Sequence, residues 1–298
     1  MKQKIKIGYF ADGPWSHIAL KRILQDENFI ISFICARYEH PDEILEAIAK
    51  ENNIEFFSHP NINSNEFFQR ITQYEFDIFV SLSFNQIFKK NLIELPKLKT
   101  INCHAGKLPY YRGRNVLNWA LINDEKEFGI TVHYIDDGID TGDILEQIVY
   151  PITDEDDYQT LLQRAYVACS DVLYSCLQKI KTNNLNPIKQ ETISRYGIYC
   201  VSRKEGDEII DWNQSSREVF NFIRSICYPG PQARCYLGED EVKINKAIYL
   251  KDAPIYKGIP GSIIGKGFDY LYVKTGDSFI KITEWSGLMK IRIGDRFR

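Results

Sequence analysis

At residues 101–115 the chain reads INCHAGKLPYYRGRN, setting the amide of Asn102 two positions before the imidazole of His104. Lys107, Arg112 and Arg114 follow around Gly113. Alternate residues of a strand share a face, so Asn102 and His104 would project to one side and Cys103 to the other. An imidazole with an ordinary pKa of about 6.5 accepts a proton near neutrality, and an amide N–H stabilises an oxyanion. Acyl transfer to an amine needs both. A carboxylate that orients the imidazole or relays its proton would complete the set, and the segment DDGIDTGD supplies Asp136, Asp137 and Asp140. Residue type and spacing alone do not choose among the three. The same residues also fit plainer roles: DDG is ordinary hairpin chemistry, and the arginines suit a solvated face or packing over the tyrosines. His133, in the middle of a strand-like run, reads as a core or supporting histidine, and His17, His40 and His59 have no companions that suggest a site.

Elements that would position these groups are legible on either side. Residues 5–10, 29–37, 76–84, 99–104 and 128–135 are apolar or alternating runs of strand type, and 17–24 and 42–54 have helical spacing. Strands alternating with helices predict an α/β domain with a largely parallel sheet, whose ligands bind beyond the carboxyl ends of the strands. The loops ADGPW, NQIFKK, HAGKLPYYRGRN and DDGIDTGD lie there. Residues 157–180 form a long amphipathic helix that closes the first domain. After a polar stretch at 184–208, REVFNFIRSI reads as a helix. The short runs CYLG, EVKINKAIYL, GSIIGKG, YLYVKT, FIKITEW and MKIRIG then read as strands of a small barrel or open sheet. The expected boundaries are 1–188 for the catalytic domain, 189–207 for a linker and 208–298 for a β-rich C-terminal domain.

Bulk properties narrow the class. With 298 residues, 44% hydrophobic and 26% charged, the chain has material for one large core or two. No apolar run approaches a membrane span and the N-terminus lacks a signal-peptide core, so the expectation is a cytoplasmic protein without a membrane partner. Seven cysteines, scattered singly and odd in number, offer neither a disulfide framework nor zinc spacing. A net charge of −3 with mixed signs argues against a nucleic-acid partner.

The joint pattern NCHAGKLPYYRGRNVLNWAL followed by GITVHYIDDGIDTGDIL closely resembles the N10-formyltetrahydrofolate-dependent formyltransferases. EIIDWNQSSREVFNFIRSICYPGPQARCY is similar to the start of the C-terminal domain of their two-domain members. The resemblance implies a Rossmann-like, mostly parallel first domain and a smaller β-rich, OB-like second one. It implies a catalytic triad of Asn102 (oxyanion), His104 (central acid/base) and Asp140, with N10-formyltetrahydrofolate as co-substrate and no metal. Asp136, Asp137 and Gly138 then line the folate side, and Asn85, Gln86, Ile87 and Phe88 match the loop whose backbone holds the pterin-like ring.

Within that family, a single-domain glycinamide ribonucleotide transformylase is disfavoured by length, and a methionyl-tRNA formyltransferase by AGKLP in place of SLLP and by the balanced charge. KLPYYRGRNVLNWA and ADGPWSH look like the sugar N-formyltransferases of bacterial surface polysaccharide biosynthesis. The expected substrate is a nucleotide-linked amino sugar, a UDP- or dTDP-4-amino-4,6-dideoxyhexose with a slight lean to UDP, a 3-amino sugar staying open. Lys107, Arg112 and Arg114 supply charge for a diphosphate or for pairing within the loop, and Trp15 and Tyr111 are aromatic candidates to flank the sugar or base. Such enzymes are commonly homodimers. A non-catalytic folate or nucleotide-sugar binding module, and a deformylase that passes the formyl group to water, are the competing classes.

Overall fold

The computed structural model describes residues 4–287 and 290–298. In chain order the first elements are β1 (Ile5–Ala11), α1 (Pro14–Leu24), β2 (Phe29–Ala36), α2 (Glu43–Glu51), β3 (Glu55–Ser58), α3 (Asn65–Ile71), β4 (Ile78–Leu82) and α4 (Lys90–Ile93). Then come β5 (Thr100–His104), β6 (Arg112–Gly113), α5 (Val116–Ile122), β7 (Glu127–Tyr134), β8 (Ile144–Pro151) and α6 (Tyr158–Lys181). Beyond these lie α7 (Gln190–Ile193), β9 (Tyr199–Cys200), α8 (Ser216–Ile226), β10 (Ala233–Leu237), β11 (Asp240–Ile248), β12 (Ile263–Lys266), β13 (Leu271–Lys274) and β14 (Phe279–Ser286).

The chain forms two compact units. The first takes the chain up to Arg114 together with Phe128–Tyr150 and Gln163–Cys200. Its sheet has the order β3-β2-β1-β4-β5-β7-β8, with β1 between two parallel neighbours and β5 pairing antiparallel with β7. β1 and β4 are apolar and buried along nearly their whole length, as central strands covered on both faces must be. β2 and β4 flank β1, so the direction of winding reverses there, the position at which open α/β sheets bind their ligands. Helix starts are fixed locally: Pro14 opens α1, Asp42 caps α2 by accepting from the N–H groups of Ile44 and Leu45, and Ser64 caps α3. An aromatic core of Phe10, Phe33, Phe57, Phe67, Phe79 and Phe88 fills one side. Gly8 admits it, since a Cβ there would lie 2.5 Å from the Phe33 ring.

The second unit comprises Asn115–Glu127, Pro151–Leu162 and the chain from Val201 onward. Its antiparallel sheet has the order β10-β11-β14-β13-β12 and shares a core with α8, whose start is fixed by a capping box of Ser215 and Glu218. The expected α/β domain and the smaller β-rich one are therefore both present. Two local expectations differ. Residues 189–207, read as a linker, carry α7 and β9. Met289 of the MKIRIG run lies outside the described residues, and Lys290–Gly294 form no strand. There Arg292 and Asp295 close a turn, with Gly294 at φ 97°. Among the described residues no helix is long and apolar enough to cross a membrane.

Candidate active site

β5 and β7 bring the groups together. Their antiparallel register sets Asn102 opposite His133 and His104 opposite Thr131, and directly opposed residues share a face. The Asn102 amide nitrogen lies 3.3 Å from His133 Nε2. Beyond β7 the chain turns through Asp136–Asp143, and Asp140, held at φ 55°, aims its carboxylate back at both rings. Asp140 Oδ1 is 3.4 Å from His133 Nε2, and Oδ2 is 3.7 Å from His104 Nδ1. The Gly113 N–H also donates to Oδ2 at 2.8 Å.

Backbone carbonyls only accept, which fixes the remaining ring protons. His104 Nε2–H donates to Tyr111 O and His133 Nδ1–H to Tyr134 O, each at 2.7 Å. The other nitrogen of each ring therefore faces Asp140, ready to take up a proton beside a carboxylate. Burial alone would push the Asp140 carboxyl up, but the neighbouring His104 and His133 rings and the Gly113 N–H outweigh it and hold it well below the usual range. His104 and Asp140 keep a window to solvent, with side chains 10% and 12% exposed, while His133 is at 2%. Gly106 makes the fold-back over His104 possible: a Cβ there would sit 2.3 Å from Tyr111 O and 2.4 Å from Nε2. Thr131 and Gln147 brace that loop, through Thr131 Oγ1 to Gly106 O (2.7 Å) and Gln147 Nε2 to Leu108 O (2.9 Å).

Asp136, Asp137 and Gly138 are exposed on the same turn, where Asp136 accepts from the Gly138 N–H at 3.1 Å and from the Thr141 hydroxyl. In the loop after β4, Ile87 is 68% exposed and Asn85 reaches Glu39 at 3.3 Å. Gln86 and Phe88 serve the loop itself. Gln86 accepts from the Ile62 N–H (2.9 Å) and donates to His59 O (2.7 Å), while the Phe88 ring is in the aromatic core. Ser83 begins the loop at φ 60°, gripped by Arg37, whose Nε also meets Asp12 at 3.2 Å.

The basic residues separate. Arg112 is engaged inside the protein, its Nε and Nη2 on Gln190 Oε1 at 3.1 and 2.7 Å and its guanidinium over the Tyr199 ring. Arg114 is exposed and Lys107 half-buried. Tyr111 contributes its carbonyl, as above, and Trp15 packs edge-on against Tyr166. His17 has a companion in Asp42, at 2.8 Å. Sequence reasoning read His133 as a core or supporting histidine without linking it to Asn102 and Asp140, and missed Gln190. The register that pairs His133 with Asn102 depends on how two strands separated by a long connection align. Gln190 is one polar residue in a polar stretch.

Residues 22–177 match the family model described as formyl transferase, and 203–292 the formyl transferase C-terminal domain. The methionyl-tRNA formyltransferase of Thermodesulfovibrio yellowstonii is 33% identical over 221 residues, 74% of this chain and 69% of that protein. Among solved structures, WlaRD, a sugar 3N-formyl transferase crystallised in the presence of dTDP and 5-N-formyl-THF, matches with TM-score 0.72 and 25% identity over 97% of this chain and 100% of that one. An N-formyltransferase from Helicobacter canadensis, in complex with folinic acid and dTDP-3-aminofucose, has the same fold, with TM-score 0.70 and 24% identity over 95% and 100% of the chains.

Proposed function

Because this chain belongs to the formyl transferase family, we propose that it transfers the formyl group of N10-formyltetrahydrofolate to the amine of a nucleotide-linked amino sugar. Asn102, His104 and Asp140 are its catalytic residues. The observation that carries the proposal is the carboxylate of Asp140 set between two imidazoles whose other nitrogens are tied to backbone carbonyls.

The amine lone pair attacks the formyl carbon, and the carbonyl oxygen becomes an oxyanion. One Asn102 amide hydrogen points to His133, and the second is available to the oxyanion. His104 accepts the amine proton at Nδ1, and the ionised Asp140 beside it stabilises the imidazolium formed. Collapse of the intermediate breaks the bond to N10, which recovers a proton from the cluster as tetrahydrofolate leaves. For the folate, the loop after β4 fits a flat ring held by backbone: Gln86 and Phe88 anchor it from beneath, while Ile87 faces outward.

A sugar substrate is supported by the likeness to WlaRD along the whole of both chains and by the balanced charge. That relative carries dTDP and acts at a 3-amino position, so dTDP takes precedence over UDP as the first nucleotide to test. With Arg112 engaged internally, Arg114 is the exposed cation of this loop for a diphosphate. Cytoplasmic location, a homodimer and a role in surface-polysaccharide synthesis belong to the same proposal. Similarity to methionyl-tRNA formyltransferases supports a second reading, with methionyl-tRNA as the amine. The test is tetrahydrofolate formation from N10-formyltetrahydrofolate with dTDP- and UDP-linked 3-amino and 4-amino sugars, with methionyl-tRNA, and with no amine. The proposal expects turnover with a sugar; turnover only with methionyl-tRNA establishes the second reading.

A further inference from the structure

We infer that Gln190 is a positioning residue for formyl transfer, its amide locking the Asp140 turn in the one conformation that sets the carboxylate between His104 and His133. The inference rests on the catalytic role proposed above for Asp140. Gln190 opens the short helix α7 and is 3% exposed. Its Oε1 accepts two hydrogen bonds from Arg112, and its Nε2 donates to Asp140 O and to Gly142 O, each at 2.8 Å. The partner types fix the amide orientation, because guanidinium only donates and carbonyl only accepts. Every hydrogen-bonding position of the side chain is in use.

Three hydrogen bonds close a ring. From Gln190 the path runs to Arg112, along the backbone to Gly113, whose N–H donates to Asp140 Oδ2, and through Asp140 to its own carbonyl, which accepts from Gln190. Asp140 is thus gripped at both its carboxylate and its backbone. It needs the grip, since φ 55° is disfavoured for a residue with a Cβ and persists only where surrounding contacts over-determine it. The second carbonyl belongs to Gly142, where a Cβ would lie 1.9 Å from Tyr134 O, the atom that accepts from His133 Nδ1. The far end is equally built. A Cβ on Gly197 would fall 2.0 Å from Arg112 Nη1, so glycine there leaves room for the guanidinium, and β6 pairs with β9 beside it.

Two substitutions separate positioning from a mere fastening of Arg112. Gln190→Leu removes all four bonds. Gln190→Glu keeps an acceptor for Arg112, now charged, but turns the donor end into an oxygen facing two carbonyl oxygens. Both should lower kcat on the order of a hundred-fold, as small misplacements of reacting groups do, with KM for both substrates little changed. Melting curves report whether each variant is folded; if Gln190→Leu is not, Gln190→Glu decides alone. Asp140→Asn, assayed in parallel, should be nearly inactive. Wild-type kcat in Gln190→Glu would show that the residue only fastens Arg112, and with Asp140→Asn inactive it would overturn the inference by itself. Wild-type kcat in Asp140→Asn would overturn the catalytic reading of Asp140 and the inference with it.

Discussion

Two regions of the first unit are built by opposite means. Around Phe10 the rings of Phe33, Phe67, Phe79, Phe84 and Phe88 lie with centroids 4.9–6.1 Å away, mostly edge-on. On β5, β7, the turn after β7 and the start of α7, Asn102, His104, His133, Asp140 and Gln190 are held by directional bonds to atoms of fixed type. Ring packing is sensitive to volume and nearly indifferent to which atom touches which. A polar cluster is the reverse: an isosteric change that swaps a donor for an acceptor leaves the volume intact and breaks the function. Stability should therefore reside chiefly in the first region and catalysis in the second.

His104→Asn tests the separation hardest. It removes the proton acceptor, so tetrahydrofolate formation should fall by about a thousand-fold or more while the melting temperature stays near wild type. The mirror experiment is Phe10→Ala, expected to lose about 3–5 kcal/mol in urea unfolding while kcat per folded molecule is retained. Gln86→Leu sits between the two regions. Losing two loop-anchoring hydrogen bonds of about 1 kcal/mol each should raise KM for the formyl donor on the order of tenfold and leave kcat close to wild type. Acid unfolding sharpens the comparison further. The Asp140 carboxyl is held below its unfolded value, so its contribution to stability is present above about pH 4 and is lost as pH falls through the lower folded value. The stability advantage of wild type over Asp140→Asn should shrink as pH drops below that point. The smallest effect is expected from Ile87→Ser, within about 0.5 kcal/mol of wild-type stability because the side chain is exposed.

What the sequence revealed follows the same division. β1, β2, β5 and α6 were legible because their apolar residues repeat at the period of the element that buries them. α5, only seven residues and mostly buried, has no polar face to betray a helix, and β3 is four residues inside a polar stretch. MKIRIG alternates like a strand, yet a turn closed by Asp295 takes over its second half. In the site, Asn102 and His104 were readable from strand alternation, whereas the choice of Asp140 among three aspartates came only from family resemblance. The partners of His133, and Gln190 altogether, carried no local signal. Their roles come from strand register and from bonds spanning 50 and 78 residues of chain. Arg112, read as a cation for a diphosphate or for pairing within the loop, makes the internal tie to Gln190.

The most direct test of the central claim follows the formyl carbon itself. N10-formyltetrahydrofolate labelled at the formyl group is mixed in a single turnover with an excess of enzyme and a dTDP-linked amino sugar, and the label is located by mass spectrometry. Label on the sugar nitrogen with wild type, and label left on folate with His104→Asn, is the predicted result. Label released as formate whether or not the amine is present would contradict it and make the protein a hydrolase.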